Sequence, residues 1–442
     1  MRYLIILLLL SSAGIFAQQP VGGQEPATPA GGAPDTTDDS TTTGLAGQFL
    51  QHNFVNLYAF ANAIYQSAPY VYGNTSTASF GGSAGGGIDL FHQYETGLVS
   101  LAYRGSYTDY SGSGYESGSN QSLAFITTKR LSARWSFSLS AGGGISLYGT
   151  PYYGAPASGP STPIQNPFSD ETRYLSSTVV LSYRQTRRLS YAVSGAFFLS
   201  RYTGSYGIGT TGVVGAISTT YRLTARTSLS GTYSHDVFYY QQNFGSTGVD
   251  SVFATVSHKF TSRTRVTVSG GVAHAGGSGT ALLPLNVNVN GQTIIVEALV
   301  PYKQSSWVPD FQGSLIHNLG RFTVSVAGGQ SVSPGNGVFL ASRELFLRGY
   351  ISRVWGRSNL SAGGGYIHIV STANSIKSLY NGSYNSANFT VSYGYRLRRF
   401  LSAQAGYSYY SNSSFGGFAG FNESRIYVGL TFSTKGIPLT LF

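Results

Sequence analysis

Apolar and polar residues alternate with a period of two through most of the chain, from residue 50 to residue 434. After residue 134, for example, large side chains take every second position and serine or glycine fills the positions between them. The apolar positions there are Trp135, Phe137, Leu139, Ala141, Ile145 and Leu147. This period is typical of β-strands with one apolar and one polar face. The region 50–434 is therefore predicted to be all-β.

Short segments, most of them rich in basic residues, separate these stretches. They lie near residues 93, 131, 186, 224, 262, 319, 355 and 398. Most steps between them are about 40 residues, and two are longer by about 17, which indicates a repeated hairpin. The longer steps predict two long loops on the opposite side, at 149–170 and 277–303. In the second loop, Asn290-Gly291 predicts an additional hairpin at the outer side, which either caps the mouth or dips into it. The alternative is a disordered surface loop.

The hairpin repeat predicts a transmembrane antiparallel up-and-down β-barrel with short periplasmic turns and longer extracellular loops. Eight turns join sixteen strands, and residues 53–66 and 424–433 supply two more, which makes about eighteen. The alternative is sixteen strands, with residues 45–66 inside the barrel as a helix or plug. A strand of about 12 residues tilted by ~40° rises ~30 Å, which is enough for the ~25 Å apolar band of an outer membrane.

Composition agrees with a barrel and excludes several other classes. The 442 residues include 58 Gly, 33 Tyr and 26 Phe but no Cys, and only 10% are charged. Without Cys there is no disulfide scaffold, zinc ribbon or cysteine nucleophile, and the 14% aromatic content excludes a disordered chain. The net charge of +11 comes mainly from Lys and Arg near the short turns, where the only acid is Glu95. Nucleic-acid binding is therefore not expected.

The two ends of the chain differ from the repeat. Residues 1–17 have a basic start and the apolar run Leu4–Leu10, which are typical of a secretory signal peptide. Residues 18–49 are rich in Gln, Pro, Gly, Thr and Asp, and are predicted to be a flexible periplasmic arm. Residues 435–442 form a C-terminal tail after the last predicted strand. No stretch approaches the ~20 apolar residues of a transmembrane helix.

Charged residues within strands are expected to point inward, because a charge on the lipid face is costly. Strand parity predicts seven inward, pore-lining charged residues: Asp89, Arg104, Asp236, Asp310, Glu344, Arg348 and Arg425. Four acids and three bases could form a mixed-charge constriction or a set of ion pairs across the inner wall. In either arrangement the interior is wet, and the near-balance of charge argues against strong ion selectivity.

No catalytic, cofactor-binding or metal-binding motif is found, and the chain is not expected to be an enzyme. His235 and Asp236 are adjacent, but alternation sends them to opposite faces, so they cannot easily form a relay. His274 and His368 are expected to be isolated near loop ends. No two histidines have metal-ligand spacing.

The chain resembles bacterial outer-membrane β-barrel proteins of the porin-like kind. The resemblance rests on the signal peptide, the hairpin repeat and the final strand Ile426-Tyr427-Val428-Gly429-Leu430-Thr431-Phe432, which is similar to strands that the barrel assembly machinery recognises. The acidic constriction-loop motif of general porins is not found, so the resemblance is to the architecture. It implies location in the Gram-negative outer membrane and passive diffusion of small hydrophilic solutes through a weakly charged aqueous lumen.

Expected partners are outer-membrane lipids, the barrel assembly machinery during insertion, and small polar solutes, with no cofactor and with the oligomeric state left open. An alternative function is a conduit or scaffold for secreted polysaccharide export or for surface adhesion. The Tyr-rich loops suit that alternative, but they also suit an aromatic girdle at the membrane interface.

Overall fold

The computed structural model describes most of the predicted barrel. The described residues are 53–67, 78–111, 117–146, 171–202, 209–241, 245–289, 292–320, 322–333, 342–371, 383–413, 421–434 and 437–438. The predicted signal peptide 1–17, the arm 18–49 and the long loop 149–170 lie outside these residues. Most of the tail 435–442 does as well.

Eighteen β-strands form the wall, as the repeat predicted. They are β1 (Asn53–Gln66), β2 (Ser79–Tyr94), β3 (Gly97–Tyr110), β4 (Gly118–Arg130), β5 (Trp135–Ser146), β6 (Thr172–Arg184), β7 (Leu189–Tyr202), β8 (Thr210–Arg222), β9 (Thr227–Tyr240), β10 (Gly245–Lys259), β11 (Thr264–Val289), β12 (Gln292–Asn318), β13 (Phe322–Ser333), β14 (Ser342–Trp355), β15 (Ser358–Ser371), β16 (Ser383–Arg398), β17 (Leu401–Asn412) and β18 (Phe421–Ser433). Among the described residues, no helix is long and apolar enough to cross a membrane.

The sheet closes on itself. Each strand pairs antiparallel with the next, and β1 pairs with β18 from Tyr58 opposite Ser433 to Gln66 opposite Arg425. A two-residue bridge, Ile437–Pro438, continues this seam along β1. Because β1 belongs to the wall, the sixteen-strand alternative is wrong and the eighteen-strand barrel is confirmed.

Four of the short turns share one hydrogen-bond pattern. In the turn after β8, Thr224 Oγ1 accepts the backbone N–H groups of Arg226 at 3.1 Å and Thr227 at 3.0 Å. The same pattern recurs with the hydroxyls of Ser132, Thr186 and Thr261. A hydroxyl that accepts these N–H groups stabilises a tight turn. In each of these four turns, an arginine therefore lies two positions after the Ser or Thr.

Two other turns depend on glycine. Gly320, after β12, has φ +70°, and Gly356, after β14, has φ +56°. L-residues with a side chain rarely adopt this left-handed conformation, which glycine adopts without a steric penalty. Both turns can therefore be tight without a side-chain hydroxyl.

The two faces of the wall follow strand parity. In β7, Ala192, Ala196 and Phe198 are buried on the inner face, whereas Tyr191 and Val193 point outward and expose 38% and 56% of their surface. Outward apolar residues recur around the barrel, and examples are Val213, Ile217, Val252, Val256, Val268, Val272, Leu345, Leu347, Val428 and Leu430. A continuous outward apolar face is what a membrane-spanning barrel presents to lipid.

The inner face is not polar throughout, which corrects the expectation of small polar side chains. Phe198, Phe238, Tyr240, Val249, Ala273 and Ala275 form a buried apolar cluster, and Val332 packs against it. On the opposite side of the barrel, β1 directs Phe54 inward, where its ring stacks on that of Phe91 with the centroids 5.5 Å apart. Apolar patches therefore alternate with polar ones along the inner wall.

The predicted extra hairpin is confirmed and is a continuation of the wall. β11 pairs with β10 only as far as Ser278, and β12 pairs with β13 only from Phe311 downward. Above these points, β11 and β12 pair with each other up to Val289 opposite Gln292. Within the described part of the chain, the upper half of β12 therefore has a free edge on its β13 side.

Two prolines lie on that free edge. Pro301 and Pro309 lie at odd positions of β12, and the Pro309 carbonyl accepts a hydrogen bond from Gln330 Nε2 of β13 at 2.7 Å. The N–H and C=O groups of one strand residue point to the same side, so the odd residues of upper β12 direct these groups toward β13. Proline has no N–H to donate and is tolerated on such an edge.

Candidate functional site

All seven charged residues that parity predicted inside lie at inward-pointing strand positions. They are Asp89, Arg104, Asp236, Asp310, Glu344, Arg348 and Arg425. Four of them, the acids Asp236, Asp310 and Glu344 and the base Arg425, are buried. Their placement agrees with the alternation, while a pore-lining role stays a prediction.

The inner wall differs in accessibility from one side of the barrel to the other. On β9 and β10 the inward side chains, such as Asp236, Phe238 and Val249, are buried. On β3 and β4 most inward side chains are half-exposed, and Ile126, opposite Ser100, exposes 41% of its surface. The solvent-accessible part of the interior therefore includes the wall along β3 and β4.

Two of the predicted charges lie on or beside this accessible part. Arg104 on β3 shares its face with the buried Thr108, and Asp89 on β2 lies on the inner face with Phe91. The Asp89 carboxylate accepts a hydrogen bond from Asn56 Nδ2 at 3.4 Å. One acid and one base thus flank the accessible lumen on neighbouring strands.

A second group of inward charges lies on β14. Glu344 Oε1 is 3.8 Å from Arg348 Nη2, and the Arg348 guanidinium lies over the Phe346 ring, 5.2 Å from its centroid. The Glu344 side chain is 1% exposed and that of Arg348 is 24% exposed. Of the two side chains, mainly the positively charged Arg348 is therefore accessible from the interior.

A third group lies at the seam between β1 and β18. Arg425 is 2% exposed and lies opposite Gln66 of β1 and Ser408 of β17. Gln66 Nε2 donates to Glu423 Oε1, and Gln66 Oε1 accepts from Tyr110 O–H at 2.7 Å. The Arg425 guanidinium makes no hydrogen bond with the described residues. This group could bind an anionic or strongly polar solute.

The sequence reasoning missed a set of inward amides, because it searched only for charges. Gln404 Nε2 donates to Asn62 Oδ1 at 2.9 Å, and Asn62 Nδ2 donates to Ser83 Oγ at 3.2 Å. Asn56, Asn62 and Gln66 all lie at even positions of β1, the inward parity. That shared parity was present in the sequence and could have identified them.

The expectation that strand charges point inward is wrong at Asp250. This residue shares its outward face with Val252, and its Oδ1 is 2.8 Å from Nδ1 of His235. The side chains of His235 and Asp250 expose 53% and 47% of their surface. The adjacent Asp236 is buried on the inner face, so the prediction that His235 and Asp236 point to opposite faces is confirmed.

The prediction that His274 and His368 are isolated is also wrong. The Nε2 atom of His274 lies 2.8 Å from Ser305 Oγ, and its ring lies 4.8 Å from that of Trp307. The Nδ1 atom of His368 lies 2.6 Å from Asn385 Oδ1. Both histidines have partners on neighbouring strands that are distant in the sequence. No group of three His, Asp or Glu side chains within the described ranges is placed to hold a metal ion.

No protein-family model matches the chain, and no curated protein sequence matches it. Among solved structures, the chain is similar to OccK5 (OpdH) of Pseudomonas aeruginosa, at 12% identity over 86% of this chain and 98% of that one, with a TM-score of 0.40. It is similar to OccAB4 of Acinetobacter baumannii at 11% identity over 87% and 99%, with a TM-score of 0.39.

The FrpB iron transporter from Neisseria meningitidis gives 9% identity over 86% of this chain and 81% of that one, with a TM-score of 0.37. The strand pairings of this chain themselves define its closed fold. The closed wall, the outward apolar face and the inward charges define a large transmembrane β-barrel.

Proposed function

We propose that the chain is a porin-like channel of the Gram-negative outer membrane, through which small hydrophilic solutes diffuse passively. The observation that carries this proposal is a closed eighteen-strand wall with an apolar outer face and charges of both signs on its inner face. Closed barrels are the form in which strands can span a bilayer, because every backbone group in the wall is paired. The predicted signal peptide supports export to the outer membrane.

The number of strands supports an aqueous lumen. Barrels of sixteen to eighteen strands enclose more space than their side chains fill and leave a water-filled channel. In this barrel, the half-exposed inward residues of β3 and β4, together with the exposed Ile126, mark where that channel would run. Asp89 and Arg104 would then meet a passing solute first.

The distribution of charge supports weak selectivity. Acidic and basic side chains share the inner wall, and on β14 Glu344 partly neutralises Arg348. A lumen of mixed charge orients polar solutes without excluding one sign of ion. Small polar solutes are therefore the proposed cargo, and lipids are the proposed neighbours of the outer face. The barrel assembly machinery is the proposed partner of the last strand during insertion.

The test is single-channel conductance of the full chain in planar bilayers. A second protein has residues 279–302 replaced by a short turn, which removes the part of the β11–β12 hairpin that pairs with no other described strand. An ohmic conductance of the full chain supports the open channel, and a conductance seen only in the shortened protein supports a gated one. Silence of both proteins refutes the channel and favours the alternative of an export conduit or adhesion scaffold.

A further inference from the structure

Polar side chains form a row across the outer wall on four neighbouring strands. Register places His235 of β9 opposite Asp250 of β10, Asp250 opposite His274 of β11, and His274 opposite Trp307 of β12. Side chains directly opposite each other on one face have Cβ atoms ~4.5–5.5 Å apart. The row is therefore one continuous cluster, although its members are far apart in the sequence.

The centre of the cluster has the geometry of an activated serine. The Oγ atom of Ser305 lies 2.8 Å from Nε2 of His274. If the hydroxyl donates to Nε2, the ring is neutral and its proton is on Nδ1. A serine that donates to a neutral imidazole is the nucleophile–base pair of acyl-transfer enzymes.

Asp250 lies on the other side of His274 and is itself fixed. Its Oδ1 accepts a hydrogen bond from Tyr233 O–H at 2.8 Å and lies 2.8 Å from His235 Nδ1. No hydrogen bond joins Asp250 to His274, but the two residues are directly paired across β10 and β11. A carboxylate at this position favours the imidazolium that forms when His274 takes a proton.

The free edge of β12 supplies donors for a developing oxyanion. Ser305 and Trp307 lie at odd positions, like Pro309, whose carbonyl points toward β13. Their backbone N–H groups therefore point toward the same edge, where β12 has no β13 partner among the described residues. Unpaired N–H groups next to a nucleophile are the usual components of an oxyanion hole.

The height of the cluster on the wall indicates the substrate. Below it, the outward positions of β11 and β12 are apolar, with Val272 and Phe311 exposed by 49% and 47%. Above it, the outward positions are small or polar, as Gly276 and Lys303 show. His274 lies about ten residues above the short turn, which corresponds to ~25 Å of vertical rise, the height of the apolar band. This is the level at which the ester groups of outer-leaflet lipids meet the wall.

We propose that Ser305 is the nucleophile, and His274 the general base, of a lipid acyl-ester hydrolase on the outer wall, with Asp250 as a positioning residue. Ser305 Oγ bonds to the ester carbonyl carbon as its proton passes to His274 Nε2. The bond between the carbonyl carbon and the alkoxy oxygen of the ester then breaks, and the departing alcohol takes that proton from His274. Water, deprotonated by His274, next attacks the acyl-serine, and a fatty acid leaves as the proton returns to Ser305 Oγ.

The chain contains a matched control for this site. Tyr366 and His368 on β15 lie in the same relation to Asn385 on β16 as Tyr233 and His235 do to Asp250. The Tyr366 hydroxyl donates to Asn385 Oδ1 at 2.8 Å, and His368 Nδ1 lies 2.6 Å from the same atom. On the far side of Asn385, where the second histidine would correspond, lies Ser413, whose Oγ accepts the Asn385 backbone N–H at 2.8 Å. A role in the interfacial girdle would apply to both sets, whereas hydrolysis needs the side chains of the first set only.

The test uses the purified full chain in detergent, with its fold checked by heat-modifiable mobility on gels. Two readouts are labelling by a fluorophosphonate and fatty-acid release from palmitoyl-oleoyl-phosphatidylethanolamine in mixed micelles. We expect Ser305→Ala to abolish labelling, and Ser305→Ala and His274→Asn each to lower fatty-acid release roughly 1,000-fold. Asp250→Asn should lower kcat by roughly tenfold or more with little change in KM, and His368→Asn should have no effect.

Wild-type protein that is folded but neither labels nor releases fatty acid would overturn the proposal. Fatty-acid release that survives Ser305→Ala, or that falls equally in His368→Asn, would also overturn it. Because Ser305 points away from the lumen, Ser305→Ala should leave the conductance unchanged. Failure of the hydrolase and failure of the channel can therefore be told apart.

Discussion

A single cysteine at residue 126 should react with a water-soluble thiol reagent when the protein is in a bilayer, whereas one at residue 123 should not. The chain has no native Cys, so each variant carries one thiol. Both residues lie on β4, where Ile126 points inward opposite Ser100 and Leu123 points outward opposite Tyr103. Ile126 exposes 41% of its surface and Leu123 exposes 49%. The two side chains therefore differ in whether they face the lumen or the lipid, whereas their exposed fractions are similar.

The expected difference in rate follows from the charge of the reacting species. A thiol reacts as its thiolate, and a charged side chain on the lipid face of a barrel costs ~2–4 kcal/mol for Lys or Arg at the midplane and less for an anion. Because each ~1.4 kcal/mol is a factor of ten, the Leu123→Cys protein should react roughly tenfold more slowly than the Ile126→Cys protein. After denaturation the two rates should agree.

The assay follows the rate of modification by a methanethiosulfonate that carries a sulfonate, in lipid vesicles that admit the reagent to both sides. In planar bilayers, the same modification should change the conductance of the Ile126→Cys protein only, since the added negative charge then lies in the lumen. Equal rates at the two positions, or faster reaction at residue 123, would show that the assignment of inner and outer faces is wrong.

Three other substitutions test the turns and the inner charges. Thr224→Ala should lower the free energy of unfolding in urea by about 1 kcal/mol, because two backbone N–H groups lose their acceptor, while Thr224→Ser should change it little. Gly356→Ala should cost about 1 kcal/mol owing to the positive φ, whereas Gly349→Ala, which also has open space around it, should cost less in the same titration. Glu344→Gln removes the negative charge beside Arg348 and should shift the reversal potential in a salt gradient toward anion preference, while the outward Arg343→Gln should not. An unchanged reversal potential in Glu344→Gln would argue against a conducting path past β14.

The sequence predicted the inner turns closely, because turn position is local. The basic segment near residue 224 coincides with the turn between β8 and β9, and the one near residue 262 with the turn between β10 and β11. The hydroxyls that accept the N–H groups in these turns were not recognised, although each precedes its arginine by two residues. The inward amides of β1 were missed because parity was applied only to charged residues.

The expectation that the chain is not an enzyme has not been tested, and the outer-wall proposal departs from it. Along the sequence, His274 is far from both Asp250 and Ser305. Antiparallel pairing places it between Asp250 and Ser305, residues from the strands on either side. No pattern along a single strand could have indicated that arrangement.

Alternation along the chain predicted a barrel of about eighteen strands, with sixteen left open, and the face that each side chain joins. Both properties depend on the period of two within one strand, which any segment carries by itself. Which side chains meet was decided only by the tertiary structure, because the register between strands sets the neighbours of each residue. Closure of the sheet likewise decided which inward residues water reaches, such as Ile126, and which are covered, such as Asp236.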